Sequence, residues 1–369
     1  MGLLNFSPSR CVRALSVNSM CSGCRDVCPT GAIAIEDRLP SINHSLCVGC
    51  AGCVAVCPTE ALGLDDFDAT EFFFAFATDE DNVVSCQKNV PCLAALSDEH
   101  LIALSKLKNG LVLDTGHCSA CEIGARVSEI LEPRIANVNY LLEAVEAGQL
   151  VECRDIQYRN PQSTGEEDKD RRDFFKTFHL RGIAKVRADF EKEVQKSTDE
   201  FVECGIGSID TQGLRTKKIT DRRKLFFTAL KRTERPSTFH VVAGDAVAFT
   251  SQKLMNESKC SACEMCYRVC PTGALTSDMR NSKIDFDPFL CVKCHLCHDV
   301  CESDAISVSA SYNLKEWYEP TVQNLVTYSV RRCNECDALF SSVTGEKICR
   351  RCRLEEEEAM ELWGLKNDE

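Results

Sequence analysis

The sequence predicts an α+β, multidomain chain, and three observations predict it. A spaced run of cysteines recurs four times, in two pairs far apart in the chain. Between the pairs, short apolar runs alternate with stretches of helical periodicity. Two further Cys-x2-Cys pairs stand close together near the C-terminus. These divide the 369 residues into a paired-motif module at 1–65, a small α/β unit with a four-cysteine site at 66–160, a charged and largely helical connection at 161–254, a second paired-motif module at 255–310, and a sulfur cage with an acidic terminal helix at 311–369.

In the first module, Cys47, Cys50, Cys53 and Cys57 read C-x2-C-x2-C-x3-C, followed by Pro58. The partner run Cys21, Cys24 and Cys28, before Pro29, has Asn18 where its first cysteine would stand. In the second module, Cys260, Cys263, Cys266 and Cys270 precede Pro271, and Cys291, Cys294, Cys297 and Cys301 precede Glu302. Such runs grip [4Fe–4S] cubanes: three thiolates wrap one cluster and the fourth reaches the neighbouring one. The expected sets are Cys21, Cys24 and Cys57 for cluster A, and Cys28, Cys47, Cys50 and Cys53 for cluster B. Cluster C takes Cys260, Cys263, Cys266 and Cys301, and cluster D takes Cys270, Cys291, Cys294 and Cys297. Cluster A needs a fourth ligand. Cys11 is the unassigned thiol nearby; a three-iron cluster or an oxygen ligand such as Asn18 are the alternatives. Thr30-Gly31-Ala32-Ile33 and Thr272-Gly273-Ala274-Leu275 follow the prolines in corresponding places, an internal repeat whose glycines permit a close turn. The segment between the two runs of the first module reads as a ββ connection.

Composition limits the function classes. With 26 cysteines a disulfide scaffold is conceivable, but nearly all sit in tight C-x2-C groups, which read as metal sites. No signal peptide and no run of about 18 or more apolar residues is visible, so the expectation is a cytoplasmic protein with at most peripheral membrane contact. Gly2 invites lipidation, but Phe6 stands where Ser or Thr is needed. The formal charge is −13, and four oxidised clusters at about −2 each would bring it to about −21. Residues 169–235 run against this trend, with 18 Lys or Arg against 11 Asp or Glu. Such a stretch reads as a partner-docking face or as a solvated helical arm.

Within 66–160, TEFFFAFATD and DNVVSC read as buried strands, PCLAALSDEHLIALSKLKN as a helix, NGLVLDTG as a strand and HCSACEIGARVSEIL as the start of another helix. A parallel unit of this order places Cys86, Cys92, Cys118 and Cys121 at the carboxyl edge of its sheet, where α/β proteins bind ligands. These four make a candidate fifth site, for [2Fe–2S] or [4Fe–4S], zinc, or a redox-active or structural thiol set. His117 could replace a thiolate, though a turn histidine is more often simply polar. DRRDFF at 170–175 and DRRKLFF at 221–227 look alike and read as an arm packing its phenylalanines on a neighbour. Cys333, Cys336, Cys349 and Cys352 form two knuckles around an expected hairpin at Thr344-Gly345, the arrangement of a zinc ribbon. A rubredoxin iron site shares the geometry, but its usual Pro and Gly are absent. Cys153 and Cys204 match no group and read as buried small apolar residues.

The two paired modules resemble bacterial two-[4Fe–4S] ferredoxins and, together, the polyferredoxin subunits of larger redox enzymes. The resemblance covers roughly a third of the chain. The displaced first cysteine and Glu302 depart from its pattern. The central segment, through VVSC, GLVLDTGHC and Cys121, is more weakly similar to the delta subunit of methyl-viologen-reducing hydrogenase, in which a small domain holds a [2Fe–2S] cluster; cysteine number and spacing differ.

These readings imply two ferredoxin-like dicluster modules, a small central α/β unit, a helical basic segment and a C-terminal zinc ribbon, carrying four [4Fe–4S] clusters, a fifth central centre and one zinc. No nucleotide loop, nucleophile elbow, flavin or molybdopterin signature and no small-molecule substrate site is evident. The expected function is electron transfer within a larger cytoplasmic oxidoreductase, such as a formate dehydrogenase, hydrogenase, heterodisulfide-reductase-like or quinone-coupled enzyme, whose other subunits are its partners. The alternatives are a reductase of disulfide or sulfur compounds using the central cysteines, and a redox-sensing regulator holding nucleic acid. The acidity outside 169–235 disfavours the last.

Overall fold

The computed structural model describes residues 2–148, 150–156, 192, 217–343 and 345–363. DRRDFF at 170–175 and Cys204 lie outside the described residues. In the first module, strand Leu4–Phe6 pairs antiparallel with Leu62–Leu64 and ties its two ends together. In the second, Lys253–Met255 does the same with Ile306–Val308. The expected ββ connection is the hairpin Ile33–Glu36 with Leu39–Ile42. Its two turn residues, Asp37 and Arg38, hold φ of 45° and 72°, as a two-residue turn matched to strand twist requires. The second module adds a three-stranded sheet of Leu275–Thr276, Lys283–Phe286 and Gln323–Thr327, so its pairing reaches past residue 310.

The central unit is a parallel sheet in the order Val83–Ser85, Leu111–Asp114, Val151–Arg154, joined through helices Asp98–Lys108 and Gly124–Ala144. One expectation fails. Residues 70–78 of TEFFFAFATD are not a strand but belong to the helix Ala69–Thr78, and Asp79 caps its end. The Asp68 carboxylate accepts the N–H groups of Thr70 at 2.7 Å and Glu71 at 3.0 Å, an N-cap that starts a helix. Phe72, Phe73, Phe74 and Phe76 are all buried. A run that is apolar on every side reads alike as buried strand or buried helix. The helix expected across 91–109 starts only at Asp98, where Ser97 and His100 form a reciprocal cap; Leu93–Ala95 before it is a short 3₁₀ turn.

Helix Asp221–Arg232 joins the modules to the central unit. Its first two N–H groups donate to the Glu60 carboxylate of the first module, each at 3.0 Å, which places an anion at the positive end of the helix dipole. Phe226 and Phe227 are buried, as an arm packing its phenylalanines requires. Two of the basic residues here point inward rather than to the surface. Arg222 and Arg223 are buried at 7% and 2% exposure and pair with Glu99 of helix Asp98–Lys108, at 3.1 Å and 2.6 Å. Arg222 also donates to the carbonyls of Ala55 and Cys57 in the first module, and Arg223 to those of Phe289, Phe249 and Cys291 around the second.

Near the C-terminus, Ser329–Arg332 pairs with Leu339–Ser342. The hairpin turn joining these strands falls at 333–338, on the first knuckle, and Thr344 of the turn expected at 344–345 lies outside the described residues. The second knuckle opens helix Arg350–Leu362 instead of sitting in a hairpin. No helix of the described residues is long and apolar enough to cross a membrane.

Removing Glu99 leaves two buried guanidiniums without their carboxylate, a loss of about 3–5 kcal/mol for a broken buried pair. Glu99→Ala is expected to show that loss in anaerobic denaturant unfolding. Glu129→Ala, which removes the exposed partner of Arg126, should stay within about 0.5 kcal/mol of the unaltered protein.

Candidate metal centres

Each of the four cysteine runs starts a short helix: Gly23–Asp26, Gly52–Val56, Met265–Arg268 and Leu296–Asp299. In three of the four motifs the residues flanking the second cysteine both hold positive φ. These are Gly49 and Ala51 (65° and 56°), Ala262 and Glu264 (51° and 67°), and Lys293 and His295 (49° and 61°). Outside glycine this conformation costs about 1–2 kcal/mol per residue, so its repetition marks a geometry imposed by the site. The Cys21–Cys24 loop, whose run lacks its first cysteine, does not share it: Ser22 has φ −137°. A second repeat follows the fourth cysteine of every run, where Gly31, Glu60, Gly273 and Asp304 hold φ of 66°, 52°, 76° and 48°. Glu60 takes the glycine's place because its carboxylate caps helix Asp221–Arg232.

The folded chain brings cysteines from different runs together. Cys11, Cys21, Cys24 and Cys57 line one cavity with Phe6, Arg13 and Pro58. Burial pushes the Cys24 thiol up to about 12, and the neighbouring Cys57, Cys21 and Cys11 push it the same way. Cys11 is thus the fourth thiol lining this cavity, called cage A below, and Asn18 is not among its lining residues. Cage B is Cys28, Cys47, Cys50 and Cys53; burial raises Cys53, and Cys50, Cys24, Cys28 and Cys47 add to it. Cys260, Cys263, Cys266 and Cys301 line a second cavity, cage C. In cage D, burial and then Cys270 raise Cys294, with Cys291 and Cys297 adding smaller increments. Crowding of this kind favours protonated thiols in the bare chain, which a bound metal must displace.

Backbone and hydroxyl groups turn toward the sulfurs. The Ala61 N–H donates to Cys57 Sγ at 3.2 Å and the Ala305 N–H to Cys301 Sγ at 3.3 Å. Hydroxyls of Thr30, Thr272 and Ser303 lie 3.7, 3.9 and 3.8 Å from the sulfurs of Cys28, Cys270 and Cys301.

At the central sheet, Cys86 follows the first strand and Cys118 the loop after the second. The buried Asp114 carboxylate binds that edge together, accepting Ser85 Oγ at 2.7 Å and the N–H groups of Gly116 and Ile156 at 3.0 and 3.1 Å. Cys86 Sγ lies 3.6 Å from His117 Nδ1. Burial raises Cys92 to about 12, and Cys50 of cage B, Cys86 and Cys118 add to it. Cys121 is a neighbour of Cys118. Gly124 is required here by contact alone, since a Cβ would come within 1.8 Å of the Cys118 carbonyl oxygen. Cys153, expected to be buried and unrelated, is instead exposed and acts on the Cys118 thiol. The parallel register shows why: Cys153 faces Leu113, one residue before the sheet edge.

The C-terminal group differs from all of these in scale. The sulfurs of Cys333, Cys336, Cys349 and Cys352 lie within 4.8 Å of one another, the one such set among the described residues. Cys336 and Cys349 sulfurs are 3.7 Å apart. A single tetrahedral ion with bonds of about 2.3 Å to sulfur separates its ligands by about 3.8 Å. Burial pushes the Cys333 thiol up, but N–H groups of Cys349, Cys336 and Glu335 outweigh it and bring the thiol down to about 6.

Residues 259–305 match the family model of a 4Fe-4S dicluster domain, and residues 40–63 match that of a 4Fe-4S binding domain. Both place ferredoxin-type iron–sulfur domains in the chain, and with them a role in electron transfer. No curated protein matches the chain.

Nothing lies within 4 Å of where a Cβ would stand on Gly31, so Gly31→Ala tests the backbone conformation alone. It should cost about 1–2 kcal/mol in anaerobic denaturant unfolding, while Ala262→Gly, at a position already left-handed, should cost nothing.

Proposed function

We propose that the protein is a multi-centre electron-transfer subunit of a larger cytoplasmic oxidoreductase, with its cages arranged as one continuous line. Cys11, Cys21, Cys24 and Cys57 would hold cluster A; Cys28, Cys47, Cys50 and Cys53 cluster B; Cys260, Cys263, Cys266 and Cys301 cluster C; Cys270, Cys291, Cys294 and Cys297 cluster D. Cys86, Cys92, Cys118 and Cys121 would hold a fifth iron–sulfur centre, and the C-terminal four a structural zinc. The clusters supply one-electron chemistry; the chain sets their order and surroundings.

One observation carries this reading. Cys21 of cage A and Cys294 of cage D pack against the same apolar cluster, formed by Val12, Leu296 and Val300. The Met20 N–H donates across this junction to Asp299 Oδ2 at 3.0 Å. The two modules therefore meet at their cages. Within them, Cys24 lies beside Cys53 and Cys266 beside Cys297, while Cys92 of the central unit lies beside Cys50. The order is centre, B, A, D, C. The residues fit anionic clusters, since Arg13 lines the cage A cavity with its Nε buried and without a partner. The weak likeness of VVSC and GLVLDTGHC to the hydrogenase delta subunit supports a cluster in the central unit, and a heterodisulfide-reductase-like assembly is one setting for such a line.

A second reading has the central cysteines reduce a small disulfide or sulfur compound, favoured by the contact of Cys86 with His117 and by exposed Cys153. Replacing Cys118 and Cys121 with Ser separates the two: loss of turnover with the metal content unchanged supports the reductase, and loss of one cluster signal supports the line.

The first measurement is metal content on protein purified without oxygen. Four [4Fe–4S] clusters give about 16 iron, a central centre brings this to about 18 or 20, and the C-terminal cage adds one zinc. Cys11→Ser should lower the iron by about one to four per chain and perturb one cluster signal. Unchanged iron and unchanged signals in that variant would remove Cys11 from cage A.

A further inference from the structure

We propose that cages A and D are built to hold their clusters at higher reduction potentials than cages B and C, so that the middle of the line retains electrons more tightly than its ends. This rests on the reading of the four cages as cluster sites.

The observation is an uneven distribution of buried positive charge. At cage A, Arg13 lines the cavity, donates from Nη1 to the Ser19 carbonyl at 2.7 Å, and keeps a buried Nε without a partner. Arg222 donates to the Cys57 carbonyl of the same cage and to that of Ala55, midway between Cys53 of cage B and Cys57. At cage D, Arg223 donates from Nη2 to the Cys291 carbonyl at 3.1 Å. Lys253 is 2% exposed, with its Nζ 2.7 Å from His298 Nε2. Its charge acts directly on the Cys297 thiol.

These cations are not matched by carboxylates. Arg222 and Arg223 share the single carboxylate of Glu99. Among the described residues, no carboxylate forms an ion pair with Lys253 or Arg13. A buried charge needs a counter-charge, and a thiolate-ligated cubane supplies it, at about −2 oxidised and about −3 reduced. A fixed cation in a poorly screened interior favours the more negative state, which raises the potential.

Cage B lacks this supply, and cage C has only Lys217, which donates to the Tyr267 carbonyl at 2.8 Å. Burial, neighbouring thiols and backbone N–H groups dominate at Cys50, Cys53 and Cys266. Lys217 does not separate C from D, since it acts on both Cys270 and Cys266. Backbone hydrogen bonds to sulfur do not separate A from C, because Ala61 to Cys57 and Ala305 to Cys301 are nearly equal. The Tyr328 hydroxyl, 3.2 Å from Cys260 Sγ, favours cage C by one further hydrogen bond, and the charges beside A and D must outweigh it.

The test is an anaerobic redox titration of the whole protein followed by electron paramagnetic resonance. Arg13→Gln and Lys253→Gln should each lower one midpoint potential, a different one in each variant, by about 59 mV or more, which is tenfold weaker reduction at that cluster. The two that move should be the two highest in the unaltered protein. Unmoved midpoints in glutamine variants with full iron content overturn the inference. If a glutamine variant loses iron, the unaltered protein still decides: the first two signals to appear on reduction must be those perturbed by Cys11→Ser and by Cys294→Ser, and any other pair overturns it. Absence of four cluster signals from the unaltered protein overturns the electron-line reading and this inference together, whereas four signals with the wrong order overturn this inference alone.

Discussion

One carboxylate holds the described parts of this molecule together. Glu99 projects from the central unit between two adjacent arginines of helix Asp221–Arg232, and all three groups are buried. The arginines then divide their remaining donors, Arg222 to the first module and Arg223 to the second. Burying two guanidiniums is costly unless their donors are satisfied, so the carbonyls of Ala55, Cys57, Phe289, Phe249 and Cys291 have to meet this helix. The interaction is a constraint on position more than a source of stability. It fixes where two cysteine modules, distant in sequence, stand relative to one another.

The cages follow from that placement. Each module makes its own cages by exchanging fourth cysteines between runs, a local matter of short turns and left-handed residues. What the modules cannot make alone is the contact of Cys21 and Cys294 across Val12, Leu296 and Val300. The same helix that sets this contact carries positive charge to the backbone of both cages that form it. The meeting of the two modules and the buried charge beside it therefore depend on one helix. The C-terminal group stands apart in scale: its sulfurs suit one ion, and its hairpin is fastened to the second module by the hydrogen bond from Ser341 to the Asn281 carbonyl.

Much of the site was legible in the sequence because thiolate spacing is a local property. Cysteines two or three residues apart on one loop share a ligand whatever the rest of the chain does, and the chain's own repeats name their partners. The carboxyl-edge placement of Cys86 and Cys118 was legible through the parallel order of strands and helices. Less local features were misread. The phenylalanines at 72–76 are buried on every side of a helix, a pattern with no period to betray it, and only the Asp68 cap tells helix from strand. Cys153 has no neighbour of its kind in the sequence and reaches Cys118 only through strand register. Arg222 and Arg223 read as surface charge because composition cannot show that a carboxylate over a hundred residues away is buried beside them.

By itself the sequence shows the cysteine runs, their spacing and their grouping into two ferredoxin-type modules, since all of these act over a few bonds or within one small unit. The tertiary structure decided that Cys11 lines one cavity with Cys21, Cys24 and Cys57, that Cys21 and Cys294 pack on one apolar cluster, that Cys92 lies near Cys50, and which cysteines lie beside buried cations. Those outcomes depend on which apolar faces and which lone carboxylate meet across long separations, and packing of that kind leaves no periodic mark in the chain.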